Sequence, residues 1–208
     1  MVEMFLTETS EHKANVFKIL SVLFKQPNAD IEYYLTHLKP SIEKTFPQLY
    51  NLAVQLEEQF KLHSKDLTDL QVEYAKLFVG PFYVLAPPYS SIYLHQGRIV
   101  YGESTLAALD MYNDAGINLS DEYKDLPDHI SAELEFIYYL YVSYREKGDE
   151  NYLYQIKSFV NKHLKKWTPL FAKKIVESEP SLFYNLLANL LEQVVILENS
   201  DLNSIEVK

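Results

Sequence analysis

The chain contains no cysteine, which removes disulfides, thiolate metal sites, iron–sulfur clusters and cysteine nucleophiles together. Glycine is also scarce. The five present, at positions 80, 97, 102, 116 and 148, cannot be arranged into a GxxxxGKS/T phosphate loop or a GxGxxG dinucleotide fingerprint. None of the six histidines has a glutamate three residues before it, so the Glu-x-x-His ligands of di-iron helical bundles are missing. HExxH and GxSxG are missing too, and no nucleophile stands beside a base. Positive charge is the next shortage: Lys and Arg number 19 against 29 Asp and Glu, a net charge of -10. Such a surface field repels nucleic-acid backbones and anionic membranes and favours basic partners. Long apolar runs are lacking as well. The greasiest stretch, 182–197, is broken by Asn185, Asn189, Glu192 and Gln193, as befits a buried helix and not a membrane span. The opening MVEMFLTETSEHK has neither the basic start nor the apolar core of a signal peptide. These absences predict a soluble, cytoplasmic protein, and no residue pattern argues for catalysis, although a site assembled from distant residues stays open.

What is present is helix. Hydrophobic residues make up 48% of the 208, enough for a sizeable core, and they recur at i, i+3, i+4 and i+7. Val16, Ile19, Leu20 and Leu23 define a first helix from about Ser10 to Lys25. Ile31, Tyr34, Leu35 and Leu38 define a second, closed by Pro40. A third covers about 41–63, with Pro47 kinking it or starting it one turn late, and a fourth runs from Leu67 through Phe78. A fifth follows Gly102-Glu103-Ser104-Thr105 and stops at a left-handed Gly116. A sixth begins at Pro127, whose missing N–H costs nothing in a first turn, and ends near Gly148. Three more lie at 156–164, 167–178 and 180–199. With no period of 34 or 40 residues, the expectation is an all-α, irregular bundle of about nine helices. Residues 117–126 (INLSDEYKDL) are acidic without helical periodicity. They divide the chain into an N-terminal lobe, 1–116, and a C-terminal lobe, 127–208, within one overall domain. A monomer is the default, and a hinge of this kind is where two chains would exchange lobes.

The helices are interrupted once at length. Gly80-Pro81 and Pro87-Pro88 cannot continue a helix, so about twenty residues are irregular, yet they carry Phe82, Tyr83, Leu85, Tyr89, Ile92, Tyr93 and Leu94. Disordered segments are poor in aromatics. This loop is therefore expected to pack on the body and to offer part of its aromatic surface to a partner. A small hairpin of 92–94 with 98–101 around Gly97 is one local possibility.

Asp128-His129 opens helix six beside the acidic connection, with Glu133 one turn on. Two readings stand side by side. Asp128 can complement the helix dipole while His129 and Glu133 form an i, i+4 pair, or the pair can present an anionic, hydrogen-bonding site to a cationic ligand. Trp167, the lone tryptophan, is expected to be a core anchor.

In this order, the pieces resemble the TorD/DmsD family of molybdoenzyme maturation chaperones, the redox enzyme maturation proteins. YAKLFVGPFYVLAPPYSSIYL (74–94) resembles the family's Leu-Phe, Gly-Pro and Ala-Pro-Pro pattern, and VYGESTLAALDMY (100–112) its Gly-x-Ser-Thr helix. LPDHISAELEFIYYL (126–140) resembles its Asp-His signature, and FVNKHLKKWTPLFAKKI (159–175) its C-terminal block. Tyr89 stands where a tryptophan is common, and Asp125-Leu126 near a family glutamate. The resemblance implies a cytoplasmic, non-enzymatic chaperone that binds the twin-arginine signal peptide and apo form of a molybdopterin oxidoreductase until its cofactor is inserted, before Tat export. Clients of the nitrate reductase or formate dehydrogenase type, or a helical adaptor for folded partners, are the alternatives. No cofactor is implied, though weak guanine-nucleotide binding belongs to the resemblance. The signal-peptide site it implies has a polar end, Asp128, His129 and Glu133, and an apolar end, Leu77, Phe82, Pro87, Pro88, Tyr89 and Tyr93. Ser91, Gly102, Ser104 and Pro127 lie within the same motifs.

Overall fold

The computed structural model describes residues 2–80, 83–95, 101–118 and 125–204. It is helical throughout: α1 Val2–Leu23, α2 Ile31–Thr45, α3 Tyr50–His63, α4 Thr68–Tyr74, α5 Ser90–Leu94, α6 Glu103–Asp114, α7 Ile130–Lys147, α8 Asn151–Phe159, α9 Lys165–Glu177 and α10 Leu182–Ser204. The nine expected helices are all there, and α5 is an additional helical turn inside the loop. No strand forms among the described residues. Residues 92–94, one arm of the suggested hairpin, belong to α5; residues 98–100 of the other arm lie outside the described residues, as do 119–124 of the connection and Phe82.

Several boundaries differ from the sequence expectation. Ser10 does not start α1, which is already helical from Val2. Pro40 does not end α2; the helix continues to Thr45 and buries Ser41 and Ile42 beyond the proline. A single missing N–H is tolerated where the residues on both sides are needed in the core. The break falls at Phe46, which takes φ -136 and ψ 63 before Pro47, as a residue preceding proline is pushed to do. A short 3-10 turn, Pro47–Leu49, then leads into α3. The expected helices seven and eight join: α8 passes through a π-helical turn, Val160–Leu164, directly into α9. Another π turn, Ala75–Val79, prolongs α4 up to Gly80. There φ is +54, and a Cβ would lie 2.4 Å from the Tyr83 carbonyl oxygen, so only glycine fits the stop.

Packing runs across the expected lobes. α1 lies between α2 and α7, α10 lies against α3 and α9, and α5 sits between α6 and α9. Buried side chains of both halves form one core cluster, from Phe17 and Leu20 through Trp167 and Phe171 to Leu191 and Val195. Each fully buried Leu, Val or Phe contributes about 1.5–3 kcal/mol. Packing of this kind, and not intrinsic propensity, stabilises a helix such as α10.

One polar cluster lies inside that packing. Lys13 of α1 places Nζ 2.6 Å from Glu198 Oε2 and 3.0 Å from Asp201 Oδ2, and the Tyr141 hydroxyl donates to Glu198 Oε1. Burial lowers the Lys13 pKa, but Glu198 and then Asp201 outweigh it and hold the ammonium above its ordinary value. The cluster ties α1, α7 and α10 to each other. Lys13→Met, which keeps the volume and strands the Glu198 carboxylate, is expected to cost about 3–5 kcal/mol in urea unfolding, while Lys13→Met/Glu198→Leu regains most of the loss. A double variant no more stable than the single one would show that the charges themselves are needed.

Candidate functional site

The loop after Gly80 is fixed to the body in two places: Ala86 N–H donates to the Leu77 carbonyl at 2.8 Å, and residues 88–90 pair with the start of α7. Ser90 N–H donates to the Asp128 carbonyl at 3.0 Å and Ile130 N–H to the Pro88 carbonyl at 2.8 Å, an antiparallel bridge between Tyr89 and His129. Two prolines leave the loop few donors, so these two backbone bonds carry the pairing. The Asp128 carboxylate reinforces it: Oδ2 accepts from Ser91 N–H at 2.9 Å and, more loosely, from the Ser90 hydroxyl at 3.4 Å. Asp128 is 0% exposed. Its Oδ1 meets no hydrogen-bond donor among the described residues.

Residues 126–129 form a turn ahead of α7, with His129 N–H donating to the Leu126 carbonyl. Pro127 therefore precedes the helix by three residues and is not its first residue, and Asp128 is not in the first turn. His129 is the N-cap: Nδ1 accepts from Ser131 N–H at 3.1 Å and lies 2.7 Å from the Ser131 hydroxyl. An Nδ1 that accepts a backbone bond belongs to a neutral imidazole. Burial lowers the His129 pKa in the same direction, opposed by Asp125. Asp125 comes within 3.8 Å of Nε2 and accepts the Tyr89 hydroxyl at 2.9 Å, while the Tyr89 ring stands edge-on to His129 at 5.2 Å. The Tyr89 pKa is pushed well above its ordinary value by burial and by Asp125.

The expected i, i+4 pairing of His129 with Glu133 does not form. Glu133, 0% exposed, points into the core, where Oε1 lies 2.6 Å from His163 Nε2 and Oε2 accepts from Trp167 Nε1–H at 2.9 Å. Burial raises the Glu133 carboxyl although His163 opposes it. Burial lowers His163, but Glu133 outweighs that and holds the imidazole above its ordinary value. Both shifts favour keeping a proton at the 2.6 Å contact between carboxylate and imidazole. Trp167 is the expected core anchor, and its ring also forms a platform: Tyr93 of α5 stacks on it at 5.8 Å, with Phe171 against both.

The remaining predicted site residues fall in two groups. Leu77, Pro88, Ser91, Ser104 and Pro127 are buried, whereas Pro87, Tyr89, Tyr93 and Gly102 are partly exposed. Gly102 lies against His95: a Cβ there would sit 2.9 Å from the imidazole Cδ2, and the adjacent Ser104 N–H donates to His95 Nε2 at 2.9 Å. Asp125, His163 and His95 complete the site and were not among the residues picked from sequence. Asp125 had a signal in its place near the family glutamate. His163 and His95 had none, because their partners are distant in the chain or are backbone groups.

The fold is similar to that of a solved structure assigned as a redox enzyme maturation protein from Archaeoglobus fulgidus. It matches with a TM-score of 0.56 and 26% identity over 88% of this chain and 93% of that one. The chain belongs to the family whose model is described as nitrate reductase delta subunit, matched over residues 37–173, a span that includes the loop, the Asp128-His129 turn and Trp167. The Tat proofreading chaperone DmsD of Salmonella typhi is 28% identical over 131 residues, 63% of this chain and 60% of that protein. This chain thus spans less than two thirds of that relative. Chaperone protein TorD of Aliivibrio salmonicida is 26% identical over 200 residues, 89% of this chain and 92% of that one. Relatives named as chaperones support the expectation of a non-enzyme.

Because the Asp128 carboxylate holds the loop from inside, Asp128→Asn should destabilise the fold by about 1.5–3 kcal/mol, the worth of a hydrogen bond to a charged group. On the dipole reading the cost would stay below about 1 kcal/mol. His129 adds a pH signature. With its folded pKa below the unfolded 6.5, the unfolded chain binds the extra proton as pH falls through 6.5, so stability drops toward acid, by at most about 1.4 kcal/mol per pH unit. His163 acts oppositely: its contribution is present below 6.5 and lost as pH rises through the higher folded value. Urea titrations of His129→Gln between pH 7 and pH 5 should therefore show a shallower acid loss than wild type. Parallel curves would mean that His129 is protonated in the fold.

Proposed function

We propose that the chain is a cytoplasmic chaperone for maturation of a molybdopterin oxidoreductase, holding the twin-arginine leader and apo form of its catalytic subunit until the cofactor is inserted and before Tat export. The observation that carries this reading is the pinned loop within the family match. It presents Tyr83, exposed, and Leu85, Pro87 and Tyr89, partly exposed, as apolar surface on a protein of net charge -10. A leader has basic residues followed by an apolar segment, and the loop suits that segment. In this reading Asp128, His129 and Glu133 act mainly by setting the loop, and Leu77, Pro88, Ser91, Tyr93, Gly102, Ser104 and Pro127 support it from below.

The description of the matched family favours one client class over others: a catalytic subunit of the nitrate reductase type. Exchange of halves through 117–126 would have to break and re-form the α1–α7 and α3–α10 packing, so the working form in this reading is a monomer.

Titrating the protein with leader peptides of molybdopterin oxidoreductases tests the reading. Binding should weaken at least tenfold when the leader's apolar segment is scrambled, or when Tyr83 and Tyr89 are both changed to Ala, in keeping with the energetic weight of aromatic anchors. Co-purification with tagged nitrate reductase and other molybdoenzyme subunits identifies the client. A protein that captures folded partners but has no affinity for any leader would be an adaptor instead.

A further inference from the structure

At the foot of the loop, α4 and its π turn face the turn between α9 and α10 across a groove of about 420 Å³. Its walls carry three carboxylates, Asp69, Glu73 and Glu179, against one ammonium, Lys76. Leu77 and Leu85 add apolar surface, so the groove is continuous with the functional loop. Glu73 is fixed in place, accepting the Ser181 N–H. Asp69 and Glu179 are exposed.

Glu179 sits where its neighbours would have a glycine. Positive φ is taken by Gly80, Gly116 and Gly148 at the ends of the α4 extension, α6 and α7, but after α9 it is Glu179 that adopts φ +51. A side chain there strains the backbone, and glycine relieves it. The chain thus keeps a carboxylate on the groove wall at a position where conformation alone favours its removal. From the groove an exposed apolar row, Val72 (47%), Ala75 and Val79 (58%), leads along the helix toward Tyr83 (57%). Seven helical residues cover about 10 Å, the reach of about three extended residues.

Resting on the leader-binding reading, we infer that this groove is the docking site for the leader's arginine pair. Two adjacent guanidinium groups match a site with an excess of carboxylates, which they can engage bidentately. The apolar residues that follow then run over Val72 and Val79 to the loop. Asp128 and Glu133, enclosed in the core, leave this role open.

The test compares a leader peptide with its Arg-Arg→Gln-Gln version, against wild type, Glu179→Gly, and Asp69→Asn/Glu179→Gln. Glu179→Gly should melt at or above the wild-type temperature yet bind the arginine leader more weakly, a combination that misfolding does not produce. The double variant should lose roughly five- to thirtyfold in affinity for the arginine leader and nothing for the glutamine one, and added salt should shrink the wild-type preference. If wild type distinguishes the two peptides and both variants do so equally well, the arginines dock elsewhere while leader binding stands. If wild type binds neither peptide, or both alike, the groove assignment falls, and in the first case the leader-binding reading falls with it.

Discussion

Two backbone hydrogen bonds, Ser90 to Asp128 and Ile130 to Pro88, pin the long loop against the start of α7. The segment gains definition because the pairing is enclosed by side chains that leave its polar groups no competing water. Asp128 supplies the acceptor that the start of α5 lacks, Tyr89 closes over His129, and Tyr93 stacks on Trp167. Trp167 is in turn held by Glu133, and Glu133 by His163. The surface of the loop thus depends on a polar chain reaching the π turn between α8 and α9. Unpairing any buried member leaves a desolvated polar group, which is why such chains specify one arrangement.

The same logic separates inner from outer charge. Glu133 faces His163, Glu198 faces Lys13, and Glu57 of α3 is bracketed by Lys39 and Lys61 at 2.7 and 2.6 Å. Burial raises the Glu57 carboxyl, but the two lysines outweigh it and hold it below its ordinary range. These acids are neutralised locally and contribute little to the external field. Exposed acids such as Asp69 and Glu179 are the ones a basic partner meets. A count of charges along the chain does not make that distinction; burial does.

Helix identity was legible because apolar spacing is a local, repeated signal. Gly116 and Gly148 do end α6 and α7 in the left-handed conformation, as their positions implied. Proline was less informative: Pro47 broke a helix and Pro40 did not, since Ile42 and Ser41 were wanted in the core. Asp128 and His129 could be read as the start of a helix or as a ligand site, and neither reading foresaw their distant partners. Asp128 serves α5, 37 residues away in sequence from Ser91, and Glu133 serves His163 and Trp167, 30 and 34 residues away.

By itself, then, the sequence determined the all-helical class, the place of the loop and the excess of negative charge. Each of these follows from composition or from residues within one or two turns of each other. Only the tertiary structure decided which carboxylates are enclosed, which imidazole caps a helix and which is paired to an acid, and where an acidic, partly apolar groove opens beside the loop. Those outcomes depend on long-range packing, which sets desolvation and partner distance, and neither quantity is written in local spacing.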